Sequence, residues 1–259
     1  MKKIRTAIFG ALVAAMAFGA TAAFAQETLY LYGPGGPYPA MREAAAAFGQ
    51  ARGAHLEVTA GPTGKWLDKA KGDADLIFSG AENMMTDFVK AMDGRIDEAS
   101  ITPLYLRPSA ILVRPGNPRG IKGVTDLFKP GLKVLVVQGA GQNGLWEDVA
   151  GRKGDIRSVK ALRGNIVAFA ANSAEAKSLW TERTDIDAWL IWNIWQVANK
   201  DLASLVPTEK DYTIYRDCGV ALTRQGKEKP LAREFVAFLQ SKEGAAIFAK
   251  WGWLTDAPR

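Results

Sequence analysis

Five short stretches carry the residues best suited to chemistry. They are Gly33-Pro34-Gly35-Gly36, Gly61-Pro62-Thr63-Gly64-Lys65, Ser79-Gly80-Ala81-Glu82, Gly139-Ala140-Gly141-Gln142-Asn143-Gly144 and Asn172-Ser173. Each is small, polar or glycine-rich. Each follows a strand-like run and opens a helix-like one. Glycine allows close backbone approach, while Ser, Thr, Gln and Asn supply side-chain donors. Helix N-termini add backbone N–H groups and a partial positive charge. Taken singly, each stretch reads as an ordinary helix cap. Five at equivalent places, in two sets, point to a shared anion site.

Four cations could reinforce that site: Lys65 at a helix start, Arg107 and Arg114 on one long extended run, and Arg216 on another. An Arg on such a run could fork onto a carboxylate or phosphate. Equally, Arg107 and Arg216 could form salt bridges to Asp217 or Glu82. Arg114, just before Pro115, is expected to face solvent. Trp189, Trp192 and Trp195 are spaced by three; Trp192 falls at a strand end and could wall the site with its indole N–H, while the others read as core. The segment "GAGQNG" (139–144) matches G-x-G-x-x-G, but the following strand, "NIVAFAAN", lacks the acidic residue that would hold a ribose. Its glycines are read as turn or anion chemistry.

Other chemistries have little to stand on. One His (His55) and one Cys (Cys218) cannot build a structural zinc site. No G-x-S-x-G surrounds any Ser. Neither a catalytic constellation, a metal site nor a cofactor is expected. Cys218 cannot form an internal disulfide and reads as a small buried residue.

The elements that must position these groups alternate. "TLYLYG" (28–33), "HLEVTAG" (55–61) and "ADLIFSG" (74–80) each precede a helical run, as do "LKVLVVQG" (132–139), "NIVAFAAN" (165–172) and "IDAWLIWN" (186–193). Short apolar strands between helices predict an α/β chain with parallel sheets covered on both faces. The long extended runs 104–118 and 212–223 join the two sets. Two helices, 229–240 and 241–253, close the chain, with Ser241 as N-cap of the second. The pattern predicts two lobes about a cleft, with ligands at the carboxyl ends of the strands.

Residues 1–25 read as a signal peptide: Lys2, Lys3 and Arg5, an apolar run, then Ala23-Phe24-Ala25 before Gln26. This predicts export to a periplasm without stable membrane insertion. Removing those three from the 33 basic residues, against 27 acidic ones, takes the formal charge from +6 to +3. That is too mild, and too dispersed, for nucleic-acid binding.

The blocks "YGPGGPYPAMREAAAAF", "GPTGKW", "ADLIFSGAEN", "PLYLRPSAILVRPGNP", "GLWEDVAGR", "NIVAFAANS", "DAWLIWNIW" and "IYRD" resemble the accessory colonization factor AcfC family. That family is a branch of the type II periplasmic solute-binding proteins, akin to sulfate and molybdate binders. The resemblance runs over nearly all of 28–253. It implies a two-lobed clamp with a two-strand hinge: lobe 1 from 26–108 and 213–259, lobe 2 from 109–212. It further implies a small oxyanion, or a phosphate- or carboxylate-bearing metabolite, bound for an ABC importer permease or a sensor. Carried over by motif, the contacts would be Gly35, Gly36, Thr63, Ser79, Glu82, Arg107, Asn172, Ser173 and Arg216. Gln142, Asn143 and Trp192 join them from the strand-end reading. The compact "GAGQNG" replaces a longer Ser/Thr/Gly-rich loop of some members, so ligand identity does not carry over. A surface adhesin that kept the same fold is the alternative.

Overall fold

The computed structural model describes residues 27–256; the leader read at 1–25 lies outside them. The first set runs β1 (Thr28–Gly33), α1 (Tyr38–Arg52), β2 (His55–Ala60), α2 (Leu67–Asp73), β3 (Leu76–Phe78) and α3 (Glu82–Ala91). Strand β1 pairs in parallel with both β2 and β3. Helix α1 can lie close on this sheet because Ala40, Ala44 and Ala45 lie on its buried face beside Met41 and Phe48.

A 12-residue strand, β4 (Thr102–Val113), then crosses the molecule. The second set follows: β5 (Val134–Val137), α4 (Leu145–Ala150), α5 (Ile156–Asn165), β6 (Ile166–Ala170), α6 (Ser173–Glu182), β7 (Ala188–Trp192) and α7 (Ile194–Val197). Strand β5 pairs in parallel with β6 and β7. The return path is β8 (Ser204–Pro207) and β9 (Tyr215–Leu222), and the chain closes with α8 (Arg224–Glu228), α9 (Pro230–Leu239) and α10 (Lys242–Lys250). The strand order is β2-β1-β3-β9-β4-β7-β5-β6, with β8 also on β4.

Strand β4 changes partners along its length. Thr102 to Pro108 pair antiparallel with β9, whereas Ser109 to Val113 pair with β7 and β8. The two sheets therefore meet at Pro108 and Ser109. Buried hydroxyls stitch the junction: Ser109 Oγ accepts from the Ile214 amide at 3.0 Å, and Thr208 Oγ1 donates to the Ser109 carbonyl at 3.0 Å. The C-terminal helices fold back on the first lobe. Phe48 of α1 meets Phe235 and Phe238 of α9 with ring centroids 5.2 and 5.5 Å apart, and Trp251 donates to Glu43 at 2.8 Å.

Helix α5, strand β8 and the short helix α8 escape a reading by pattern. Helix α5 buries only Leu162 and Asn165, so its polar surface hides the helical period; Asp155 starts it by accepting from the Arg157 amide at 2.9 Å. Strand β8 is four residues long and ends in Pro207, too short to show alternation. The helical run read from Lys65 instead begins with a 3₁₀ turn at Thr63–Lys65 before α2. Cys218 is a fully buried free thiol, and burial pushes its ionisation well above the ordinary thiol range.

Asp75, fully buried just before β3, ties three segments of the first lobe. Its carboxylate accepts from the Tyr30 amide at 3.0 Å and pairs with Lys229 at 2.8 Å, ahead of α9. Removing one partner leaves a buried charge uncompensated. Lys229→Met is therefore expected to lower unfolding stability by about 3 kcal/mol, read as a lower urea midpoint at unchanged slope; an unchanged midpoint would contradict it.

Candidate functional site

Where the two sheets face each other the chain encloses a cavity of about 70 Å³. At roughly 10–15 Å³ per water by the same measure, it suits a small ligand. Its first wall is the turn between β1 and α1. Pro37 occupies the N-cap position without a side-chain cap, and neither Pro37 nor Pro39 has an N–H to offer. Among the described residues the amides of Gly35 and Gly36 donate to nothing. A Cβ at Gly36 would stand 3.0 Å from Arg107 Nη1 and 3.4 Å from Ile194, so glycine is what lets this backbone reach the cavity. Thr63 adds a hydroxyl from the next strand end.

The opposite wall comes from the second lobe. Asn172 Oδ1 accepts from the Ala174 and Glu175 amides at 3.0 Å each, fixing the start of α6. Ser173 Oγ accepts from Gln142 Nε2 at 2.7 Å. Gln142 is buried, and its Oε1 has no partner. The loop carrying it follows β5 in left-handed backbone, with φ of 46° at Ala140 and 77° at Gly141. A Cβ on Gly141 would come within 2.8 Å of Met84 on α3. Of the glycines of 139–144, Gly141 thus serves close contact between the lobes, whereas Gly139 lies against the Ala171 carbonyl of its own lobe.

Arg107 forms the floor. Its residue is 3% exposed, and its guanidinium carbon lies 4.6 Å from the Trp192 ring centroid and 5.5 Å from that of Trp253. Nη2 donates to the Gly80 carbonyl, and Nε has no partner. Among the described residues no carboxylate forms an ion pair with it. Burial pushes its pKa down to about 9, against the weaker pull of Cys218, Glu82 and Asp217; it stays charged at neutral pH. Among the described residues, no group of three or more His, Cys, Asp or Glu is placed to hold a metal ion.

A buried cation, two backbone amides without partners and a ring of short polar side chains meet in an interlobe cavity, an arrangement whose chemistry suits a small anion. A family model for bacterial extracellular solute-binding proteins matches residues 29–254. The chain belongs to that family.

Solved structures agree in shape. PEB3 bound to L-phospholactate is 36% identical, with a TM-score of 0.83 over 87% of this chain and 99% of that one. PEB3 from Campylobacter jejuni is 35% identical, with a TM-score of 0.81 over the same shares. The sulfate-binding protein SubI from Mycobacterium tuberculosis is 19% identical, with a TM-score of 0.75 over 90% of this chain and 88% of that one. These matches define the two-lobed type II periplasmic binding protein fold. A comparison with curated proteins finds no match.

In this solute-binding protein, Gly35, Gly36, Thr63, Arg107, Gln142, Asn172 and Ser173 come together on the cavity. The other residues expected there lie elsewhere. Ser79 is fully buried and accepts from the Gly219 amide at 3.3 Å, fastening β3 to β9. Asn143 and Lys65 are exposed outside the cavity. Glu82 and Arg216 face each other at 3.7 Å, and Arg216 also reaches Asp148 at 3.6 Å. Trp192, completely buried, lies under Arg107 instead of walling the ligand. Trp195, expected in the core, lines the cavity, with an unpartnered indole N–H. Arg114 does not face solvent: it stacks 3.7 Å from the Trp180 ring centroid and donates to the Trp180 and Arg183 carbonyls at 2.9 and 2.6 Å, closing the end of α6.

Asp217, beside this site, is pushed up to about 6 by burial and by Glu82. An acid raised in the folded state holds its proton longer than the unfolded chain does. Its cost therefore grows as pH rises from about 4 to 6, and is fully present above. With its partial exposure discounted, Asp217→Asn should gain about 1–2 kcal/mol at pH 7.5 and almost nothing at pH 4. Urea unfolding at both pH values reads this directly; an equal gain at both would contradict it.

Proposed function

We propose that this protein is a periplasmic solute-binding protein that closes on a small anion bearing phosphate or carboxylate and presents it to an ABC importer. The observation that carries the reading is Arg107: a guanidinium buried in the cavity wall without a carboxylate partner. Such a charge is costly to bury, and a bound anion offsets that cost. The free Gly35 and Gly36 amides and the start of α6 then complete the ligand's hydrogen bonds without further cations. Closing the lobes removes water, which strengthens these interactions and creates the shape a permease recognises.

The PEB3 match supports a three-carbon acid with a phosphate as the kind of ligand, since that protein is seen with L-phospholactate. The resemblance to the AcfC branch points the same way. The family to which the chain belongs consists of binding proteins, and the reading involves no covalent step.

Thermal unfolding of the mature chain should be followed against L-phospholactate, phosphoglycerates, phosphate, sulfate, molybdate and citrate. A ligand at about 100 times its dissociation constant adds about 2.7 kcal/mol, which for a chain of this size raises Tm by roughly 5–10 °C. A rise with one anion, absent in Arg107→Met, is the expected result. No rise with any of them, for a folded protein, overturns the anion reading and favours a surface role.

Gly36 offers a separate check. Gly36→Val would place methyl groups against Arg107 and into the cavity. It is expected to abolish binding of the anion identified above while moving the Tm of the unliganded protein by only a few degrees; unchanged affinity would rule out the turn as a ligand contact.

A further inference from the structure

Arg216, read either as a ligand contact or as a salt-bridge partner, stands outside the cavity lining. It projects from β9 in the first lobe. Its Nε lies 3.7 Å from Glu82, at the start of α3 in the same lobe, and its Nη2 lies 3.6 Å from Asp148, on α4 of the second lobe. The guanidinium is thus shared by carboxylates from both lobes. The neighbouring contact also joins the lobes: Gly141, in the loop after β5, packs on Met84 and Ala81 of the α3 end. Among the described residues Arg216 does not line the cavity, and the one cation that does is Arg107.

We propose that Arg216 is a positioning residue: a latch that holds the second lobe over the cleft by its pairing with Asp148, while Glu82 fixes the arginine side chain when the lobes part. The inference rests on the clamp reading but not on the identity of the ligand. Opening the lobes breaks the Arg216–Asp148 pair and leaves Arg216–Glu82 intact, because only the former spans the cleft. Half-exposed pairs of this kind are weak and salt-sensitive. The latch therefore biases the open–closed equilibrium only about two- to five-fold, enough to lengthen ligand residence without trapping the ligand.

The test measures the distance between the lobes directly. Spin labels on Lys90→Cys and Lys160→Cys, both exposed and on different lobes, report it by pulsed electron resonance, since buried Cys218 will not label. Arg216→Ala and Asp148→Ala are each expected to shift the unliganded protein toward longer distances by the same amount, and the double variant to shift it no further. Raising the salt to 1 M should do the same to the parent and little to the variants. Release of L-phospholactate, or of whichever anion raises Tm, should quicken about two- to five-fold in both single variants.

Unchanged distances in both variants, or additive shifts in the double variant, overturn the latch. A loss of binding in Arg216→Ala alone, with distances unchanged, makes Arg216 a ligand contact instead. If no anion binds, the distances still decide the latch, while the clamp reading fails separately.

Discussion

The structure is organised around one uncomfortable charge. Arg107 is buried on the crossing strand, between the Trp192 and Trp253 rings, with the Gly80 carbonyl as its polar partner. Aromatic faces and a carbonyl soften the loss of water but do not neutralise a cation. The carboxylates nearest to it are kept at arm's length: Glu82 is engaged with Arg216 on the surface, and Asp217 resists ionising up to about pH 6. A direct Arg107–Asp217 pair would stabilise the empty protein and spend the charge. Held unpaired, the guanidinium remains available to whatever enters the cavity.

Around that charge the chain spends backbone, not side-chain, cations. Pro37 and Pro39 open α1 without N–H groups of their own, leaving the Gly35 and Gly36 amides as the donors of that turn. Asn172 caps α6 so firmly that Ser173 is fixed at the cavity edge, where Gln142 holds its hydroxyl. The hydrogen bonds that hold Asn172, Ser173 and Gln142 lessen the ordering required of them on binding. This is the physical content of the glycine- and proline-rich stretch after the first strand.

Much of this was legible in the residues, and the losses follow a rule. Alternation of strand and helix located β1 at 28–33 to the residue, because apolar runs are local signals. The rule that ligands sit at strand ends selected the loops that line the cavity, but not which side chain in each loop turns inward. At the end of β7 the backbone changes from a two-residue to a 3.6-residue period. Trp192 is the last residue of the strand and Trp195 lies in the helix, so equal spacing in sequence sends them to different places. The Arg216–Glu82 salt bridge was one of the two readings open for that arginine; its second partner, Asp148, lies on α4 of the other lobe, which no local pattern contains.

The hinge explains why the charge and the motion belong together. Arg107 is followed by Pro108, which has no N–H for the ladder, so β4 can change partners there without forfeiting a donor. The next amide, of Ser109, goes to the Ile214 carbonyl at 2.8 Å, and the Pro108 carbonyl accepts from Asn193 at 3.1 Å. The strand that carries the cation is thus anchored to both lobes within two residues of it. A ligand can shift an open–closed equilibrium only by binding one form better than the other. In this structure the second-lobe groups Ser173 and Gln142 face the same cavity as Arg107. On the proposed reading, an anion drawn to that guanidinium would gain its remaining hydrogen bonds from Ser173 and Gln142 by closing the hinge beside it, so that a single buried arginine would tie recognition to closure.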